Sequence, residues 1–547
     1  MSTAASSTRP SRADRFLGAV ERVGNRLPEP FTLFLILFLA IALVSTFMAL
    51  ADVTVQVPGA EEVTAIQGLF TPEGMTWFTE NIGANYIGFP PLTTVLTIWL
   101  AVGVAEKTGL LAAGVRAVFG SAPRWALPYA VGFVGVAGSV MSDSSFIVIP
   151  PLAAMVFKAA GRHPVAGLLG GFAATGAGYS TNFAVTSLDA LFAGITTSVT
   201  QILPNPGDPV NPVSNWYFNV VSALLLAMVA GFLIDRVLEP RLARQSVPVD
   251  EARFAGTVVP GADKTVRGTG TGTGTSADAG PSAEVGAIAS ADLSAVERRG
   301  LRLAVTSLLL VGAVLAVAFV VPGSPWRNED GGFLPESPLL SSITFVIFVL
   351  FLVPGVVYGL VTRAITSMKD IPRLLEHSIK DMAGFLVLAF VLGQFIALFN
   401  WSGVGQWIAV AGAEGLESSG LTGYGAIIGF LLLASLLNLF IISGSSLWTI
   451  MAAVFVPMFA LIGYEPGFVQ AAFRVGDSAT QIITPLNPYM IVLLTFLRRW
   501  EPGAGLGTVM ARLLPFTVAF WLVWAAILSV FFFFDLPVGP GNGIFLE

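Results

Sequence analysis

Residues 30–51 carry no Asp, Glu, Lys or Arg, and charge-free windows of this length return along the whole chain. A helical crossing of a bilayer needs about 20 mostly apolar residues, because lipid offers no partner for a backbone N–H or C=O. Windows 81–105, 209–234, 303–326, 337–362 and 513–534 each hold one crossing, and 382–413 holds one plus a surface segment at 403–413. Residues 164–200 carry only Asp189, and 466–497 only Arg474 and Asp477, which brings the expected crossings to nine. Only 11% of the residues are charged, against about 25% in soluble proteins, so a water-soluble enzyme is excluded. The first window follows 29 polar residues and lacks a small-residue cleavage site, so it reads as a crossing rather than a secretion signal.

Two further windows are too long for one crossing. Residues 125–157 carry only Asp143, and 418–464 carry no charge at all. Each has a polar, small-residue centre: Ser142-Asp143-Ser144-Ser145 and Ser443-Gly444-Ser445-Ser446. Such a break at membrane depth is tolerated where it faces protein or a water-filled cavity. Both are read as re-entrant helical hairpins, over 125–160 and 422–462; two pairs of ordinary crossings would leave the same charge pattern.

Basic residues test this count, because cytoplasmic loops collect Lys and Arg. Nine crossings with a cytoplasmic N-terminus and an external C-terminus place 26 of the 28 basic residues inside. Arg327 is outside, and Arg474 lies within the bilayer. The expected organisation is a cytoplasmic segment 1–29, a first half 30–239, a flexible Gly/Thr/Ala-rich cytoplasmic linker 240–297, and a second half 298–547. The expected fold class is all-α and polytopic.

The two halves resemble each other. After the first tip the chain reaches Gly161 and Pro164; after the second it reaches Gly463 and Pro466. Upstream, the amphipathic segments beginning at Gly109 and Gly403 correspond. Downstream, each half has a polar interruption, Ser180-Thr181-Asn182 in broken helix 164–200 and Thr484-Pro485-Leu486-Asn487-Pro488 in broken helix 466–497. An odd number of crossings separates the repeats, so they are inverted. Inverted repeats with discontinuous helices are how secondary transporters build a mid-membrane site with alternating access.

An ionisable side chain inside the membrane is a functional candidate by default. Four are expected there: Asp143, Asp189, Arg474 and Asp477. Arg474 and Asp477 share a helix face at i, i+3, either as a neutralising structural pair or with Arg474 on an anionic substrate and Asp477 controlling its charge. Asp189 has no basic partner nearby in sequence; it loads and releases a proton, or caps a short helix. Asp143 supplies oxygen to Na⁺, or caps the returning half-helix. Trp448, three residues past Ser445, is expected to face the central cavity and stack on an aromatic substrate. Asn438 needs a partner for its amide, and Pro466 and Pro485 mark helix starts and breaks. With no Cys, His only at 163 and 377, and no phosphate-loop run, neither catalysis, ATP hydrolysis nor a resident cofactor is expected. Nothing suggests nucleic-acid binding.

Several runs resemble the aminobenzoyl-glutamate transporter (AbgT) family: Glu21-Arg-Val-Gly-Asn-Arg-Leu-Pro-Glu-Pro-Phe-Thr-Leu-Phe, Ser142-Asp-Ser-Ser-Phe, Ala184-Val-Thr-Ser-Leu-Asp, Gly444-Ser-Ser-Leu-Trp, Ala472-Phe-Arg-Val-Gly-Asp-Ser and Ile483-Thr-Pro-Leu-Asn-Pro-Tyr. The resemblance implies nine crossings plus two hairpins in a dimer. It implies uptake of p-aminobenzoyl-glutamate, or proton-driven export of sulfonamide antimetabolites, across a bacterial-type inner membrane. It puts the functional residues at Asp189, Asn438, Ser445, Trp448, Pro466, Arg474, Asp477 and Pro485. A bound Na⁺ would fall around Ser142, Asp143, Ser144 and Asn182. An Na⁺-coupled symporter of aminobenzoyl-glutamate or a dicarboxylate is the alternative. The long 240–297 connection departs from the family pattern.

Overall fold

Proline sets where many of the helices begin. Its fixed φ suits the first helical position and its missing N–H leaves nothing unsatisfied there. A computed structural model describes residues 28, 30–56, 58, 63–141, 143–245, 247, 293–334, 337–420 and 422–546. Nearly all of the 1–29 segment, the 248–292 portion of the linker and Ser142 lie outside the described residues. Helix α1 (Pro30–Leu50) is followed by a two-residue antiparallel ladder of β1 (Thr54–Val55) and β2 (Thr64–Ala65), then by α2 (Pro72–Ile87), α3 (Pro90–Lys107) and α4 (Leu110–Ser121). Helix α5 (Leu127–Ala137) leads through a 3-10 turn at Gly138–Met141 into α6 (Ser144–Ala159). Helices α7 (Pro164–Ala177), α8 (Ser187–Thr200) and α9 (Trp216–Leu233) follow, and a π turn at Ile234–Leu238 joins α9 to α10 (Glu239–Arg244). The second half contains α11 (Ala295–Val320), α12 (Pro338–Ser341), α13 (Ile343–Thr362), α14 (Asp370–Asp381), α15 (Ala383–Trp401) and α16 (Val404–Ser418). It ends with α17 (Tyr424–Asn438), α18 (Gly444–Leu461), α19 (Pro466–Gln481), α20 (Pro488–Leu497) and α21 (Leu506–Phe533).

Among the described residues, eight helical stretches are long and apolar enough to cross a membrane. Seven fall on seven of the nine windows read from the sequence; the eighth is α18. The remaining two windows are each split. Residues 164–200 form α7 and α8, and 466–497 form α19 and α20. The chain is mostly helical, as expected, with the short β1–β2 ladder between α1 and α2 as an addition the sequence did not show. Two backbone groups per strand satisfy each other there, in a segment too short and polar for a further helix.

The halves match in backbone conformation as well as in sequence. Gly109 (φ +86°) and Gly403 (φ +77°) start the amphipathic helices α4 and α16 in the left-handed region. Gly161 (φ +68°) and Gly463 (φ +94°) make the turns before α7 and α19. A Cβ is disfavoured at all four, which explains why glycine stands at corresponding places in both halves.

Burial inverts the order expected of a soluble protein. Helix α11 is strongly apolar yet buries only Gly300 and Ala304. Helix α19, which carries Gln470, Arg474, Asp477, Ser478 and Gln481, is buried at every one of its 16 residues. Every residue of α7 is buried too. Lipid-facing helices are thus apolar outward, and the polar helices form the centre. The loop ends bearing most Lys and Arg are tied by ion pairs: Lys107–Asp381 (2.8 Å), Arg116–Glu297 (2.6 Å), Arg512–Glu501 (2.7 Å), and Arg162 with Asp235 and Glu239. At the exposed start of α14, hydrogen bonds from Thr366 and Ser367 pull the Asp370 carboxyl down to about 2.

Candidate functional site

The polar residues of α19 fall at 470, 474, 477, 478 and 481, a stripe at helical spacing. Three side chains of that stripe reach into the first half. Arg474 Nη1 donates to Asp189 Oδ1 at 2.7 Å and to the Ser180 carbonyl at 2.6 Å, and Nε donates to Asn215 Oδ1 at 3.0 Å. With the Gln470 amide turned to satisfy both its ends, its oxygen accepts from Arg474 Nη2 at 3.2 Å. The Ser478 and Ser180 hydroxyls are hydrogen-bonded to each other, and Ser478 Oγ accepts from Ser180 N–H at 3.2 Å. The α7–α8 break and α19 therefore meet directly in the interior.

Asp189 is held by both ends of its carboxylate. Oδ2 accepts from Thr186 N–H (2.7 Å) and Thr186 Oγ1 (2.8 Å), closing a capping box at the start of α8. Oδ1 accepts from Asn219 Nδ2 (3.0 Å) as well as from Arg474. Asp189 has no basic partner nearby in sequence but meets one 285 residues away, and it is the helix cap that the sequence offered as its alternative role. The reading of Arg474 and Asp477 as a mutually neutralising pair is corrected. Arg474 does not pair with Asp477; its long side chain spans to the other half, where Asp189, Asn215 and Ser180 already converge.

Asp477 is completely buried, and neither of its carboxylate oxygens meets a hydrogen-bond donor among the described residues. Its backbone carbonyl accepts from Asn438 Nδ2, which also donates to Thr480 Oγ1 at 3.0 Å. Asn438 Oδ1 and Gln481 Oε1 are likewise buried without a donor among the described residues. Asn438 thereby fastens the end of α17 to α19, which answers the question its burial raised.

A cavity of about 920 Å³ lies beside this network. It opens next to half-exposed Asp381 and Pro30 and ends against Tyr179 and Gln481. The first turns of four helices border it: Ser145 and Phe146 of α6, Ser187 of α8, Ser445 and Ser446 of α18, and Pro488 and Tyr489 of α20. Helix N-termini present unpaired N–H groups and a partial positive charge. Phe146 and Tyr489 stack across it with centroids 5.1 Å apart. Asp143 lines it and is hydrogen-bonded to Tyr489. Of the eight residues singled out for substrate or proton, Ser445 alone lines this cavity.

Trp448 does not face the cavity, contrary to the sequence expectation. It is fully buried, lies against Phe473 (4.6 Å) and donates to Thr196 Oγ1 at 3.1 Å. One turn below the α18 tip the space is already filled by α8 and α19. Pro466 opens α19, and Pro485 lies in the α19–α20 break. The residues named for Na⁺ point to separate partners. Asn182 donates to Ser139 Oγ (2.7 Å) and accepts from Phe183 N–H (2.6 Å), while Ser144 donates to Glu106 Oε1 (2.5 Å). Ser142 lies outside the described residues.

The opposite end is closed. Glu465 N–H donates to the Ile544 carbonyl (2.9 Å), Leu546 N–H to Gly463 (3.0 Å), and Phe218 N–H to Val538 (3.0 Å). This strap covers the start of α19, roughly 22 Å along the helix from Gln481.

Sequence reasoning missed Tyr179, Asn215, Asn219 and Gln470. Asn215 and Asn219 are spaced i, i+4 in a charge-free window, and Gln470 stands four residues before Arg474 in the window 466–497, so polar stripes on membrane helices were the available signal.

Comparison with known proteins agrees with this architecture. The sequence matches the AbgT putative transporter family over residues 15–265 and 274–546. It is 35% identical over 532 residues to the p-aminobenzoyl-glutamate transport protein of Escherichia coli K12, covering 97% of both chains. The fold is similar to the Alcanivorax borkumensis YdaH transporter, a structure of unusual topology (TM-score 0.81, 33% identity, 94% of this chain and 100% of that one). It is equally similar to Neisseria gonorrhoeae MtrF, of a class of antimetabolite efflux pumps (TM-score 0.82, 34% identity, 96% and 100%). The chain belongs to the AbgT family of multi-pass membrane transporters, not to a family of enzymes.

Proposed function

We propose that this protein is a secondary transporter of p-aminobenzoyl-glutamate and of sulfonamide-type antimetabolites, exporting them from a bacterial cell in exchange for protons. The observation that carries the substrate class is the convergence of four helix N-termini and a stacked Phe146–Tyr489 pair on one cavity. Such a cavity suits a carboxylate- or sulfonyl-bearing aromatic molecule, because helix N-termini attract anions without a bound cation. The cavity opens on the Lys/Arg-rich side and the other end is strapped shut, which supports an inward-open state in an inner membrane. In this reading the chain makes nine crossings. The α5–α6 and α17–α18 pairs are re-entrant hairpins, the N-terminus is cytoplasmic and the C-terminus external. The working unit is a homodimer.

Proton coupling is assigned to Asp477, a buried carboxylate that meets no donor among the described residues, beside the Arg474–Asp189 pair that joins the halves. The test is flux of labelled aminobenzoyl-glutamate and a sulfonamide in proteoliposomes under separate pH and Na⁺ gradients. A pH gradient should drive both, and Asp477→Asn should abolish that drive. Transport that needs Na⁺ and ignores the pH gradient would establish the symporter instead.

A further inference from the structure

Asp477 controls a proton in this reading, yet it touches no part of the cavity; Tyr179 stands between them. The Tyr179 ring closes the inner end of the cavity, three residues before the Asn182 turn. A Cβ added to Gly444 would lie 3.1 Å from the Tyr179 hydroxyl, 2.9 Å from its ring and 3.2 Å from Asp477 Oδ2. The phenol and the carboxylate thus crowd the same point at the second tip, and only the missing side chain of Gly444 leaves room for them. The Tyr179 hydroxyl lies beside the Gly444 backbone. A phenol oxygen that accepts one hydrogen bond still has its own hydrogen to give.

We propose that Tyr179 gates proton exchange between the cavity and Asp477. The inference rests on the assignment of Asp477 as the coupling group. The phenol passes its hydrogen to an Asp477 oxygen as it receives one from a hydronium ion in the cavity, which is left as water, so one proton moves inward and the phenol is unchanged. The reverse sequence returns the proton. The groups facing Tyr179 are Asp477 from α19, Asp143 from the first tip and Tyr489 from α20, and Arg474 faces Asp477 from its own helix. None of the described residues donates to the Asp477 carboxylate in this conformation, so Tyr179 is the side chain placed to do so when the tip moves.

The test compares Tyr179→Phe with Asp477→Asn in proteoliposomes. Tyr179→Phe keeps the ring, so cavity shape and thermal stability should be retained. Flux driven by a pH gradient should fall at least about tenfold further than substrate counterflow, which needs no net proton movement and so reads out any effect on the cavity wall itself. The pH profile of driven flux should flatten. Gly444→Ala, which fills the gap between phenol and carboxylate, should reproduce that loss if it folds. Undiminished pH-driven flux in Tyr179→Phe, with loss in Asp477→Asn, would overturn the gate and leave the coupling assignment standing. Undiminished flux in Asp477→Asn would overturn both.

Discussion

Asp189 accepts hydrogen bonds from Thr186, Asn219 and Arg474, whereas the Asp477 carboxylate, just as deeply buried, accepts none from any described residue. Both sit on or beside a broken helix, and both are within reach of one arginine's field. A buried carboxylate with its hydrogen bonds and counter-charge in place is held rigidly; one without them has fewer fixed partners to lose when it moves. The first site is therefore suited to holding two halves in register, and the second to changing partners. The same division appears at the breaks. Asn182 uses both ends of its amide within the first half, while Gln481, one turn past Asp477, leaves its oxygen without a donor.

The sharpest way to break this contrast is Arg474→Met. It leaves Asp189 buried without a cation and should cost about 3–5 kcal/mol, read as a large drop in melting temperature in detergent, with transport abolished. Adding Asp189→Asn to that variant should restore much of the stability and none of the transport. A single Arg474→Met as stable as the parent would show that the pair does not hold the halves. Asp189→Asn alone should cost less, about 2–3 kcal/mol, because the amide keeps part of the capping while Arg474 loses its counter-charge.

Smaller effects sharpen the same contrast. Trp448→Phe should lose about 1 kcal/mol, the hydrogen bond to Thr196, and leave substrate affinity nearly unchanged. A tenfold loss of affinity in counterflow would return the indole to the substrate site. The smallest change in stability is expected for Asp477→Asn, below about 1 kcal/mol, because no described residue donates to the carboxylate that it replaces. If its melting temperature instead falls as far as that of Asp189→Asn, the two carboxylates are not differently held.

Helix positions were legible because a membrane forces long charge-free runs, and the breaks because polar residues interrupt them. The left-handed glycines at 109, 161, 403 and 463 recur for a backbone reason, so the repeat was legible as well. The pairing of Arg474 was not. Spacing along α19 shows which residues share a face, but not how far a guanidinium reaches or what waits for it on another helix. Trp448 was misread for a related cause. Its distance from Ser445 in sequence is small, but one helical turn separates a cavity wall from a packed interior. The β1–β2 ladder, with two residues in each strand, is too short to leave a pattern.

The pair joining Arg474 to Asp189 also bears on how such chains can be recombined. Each half carries the counter-charge of the other, so neither is a complete module. A chimera joining the first half of one relative to the second half of another keeps a working interior only if both donors place an acid and an arginine at these heights.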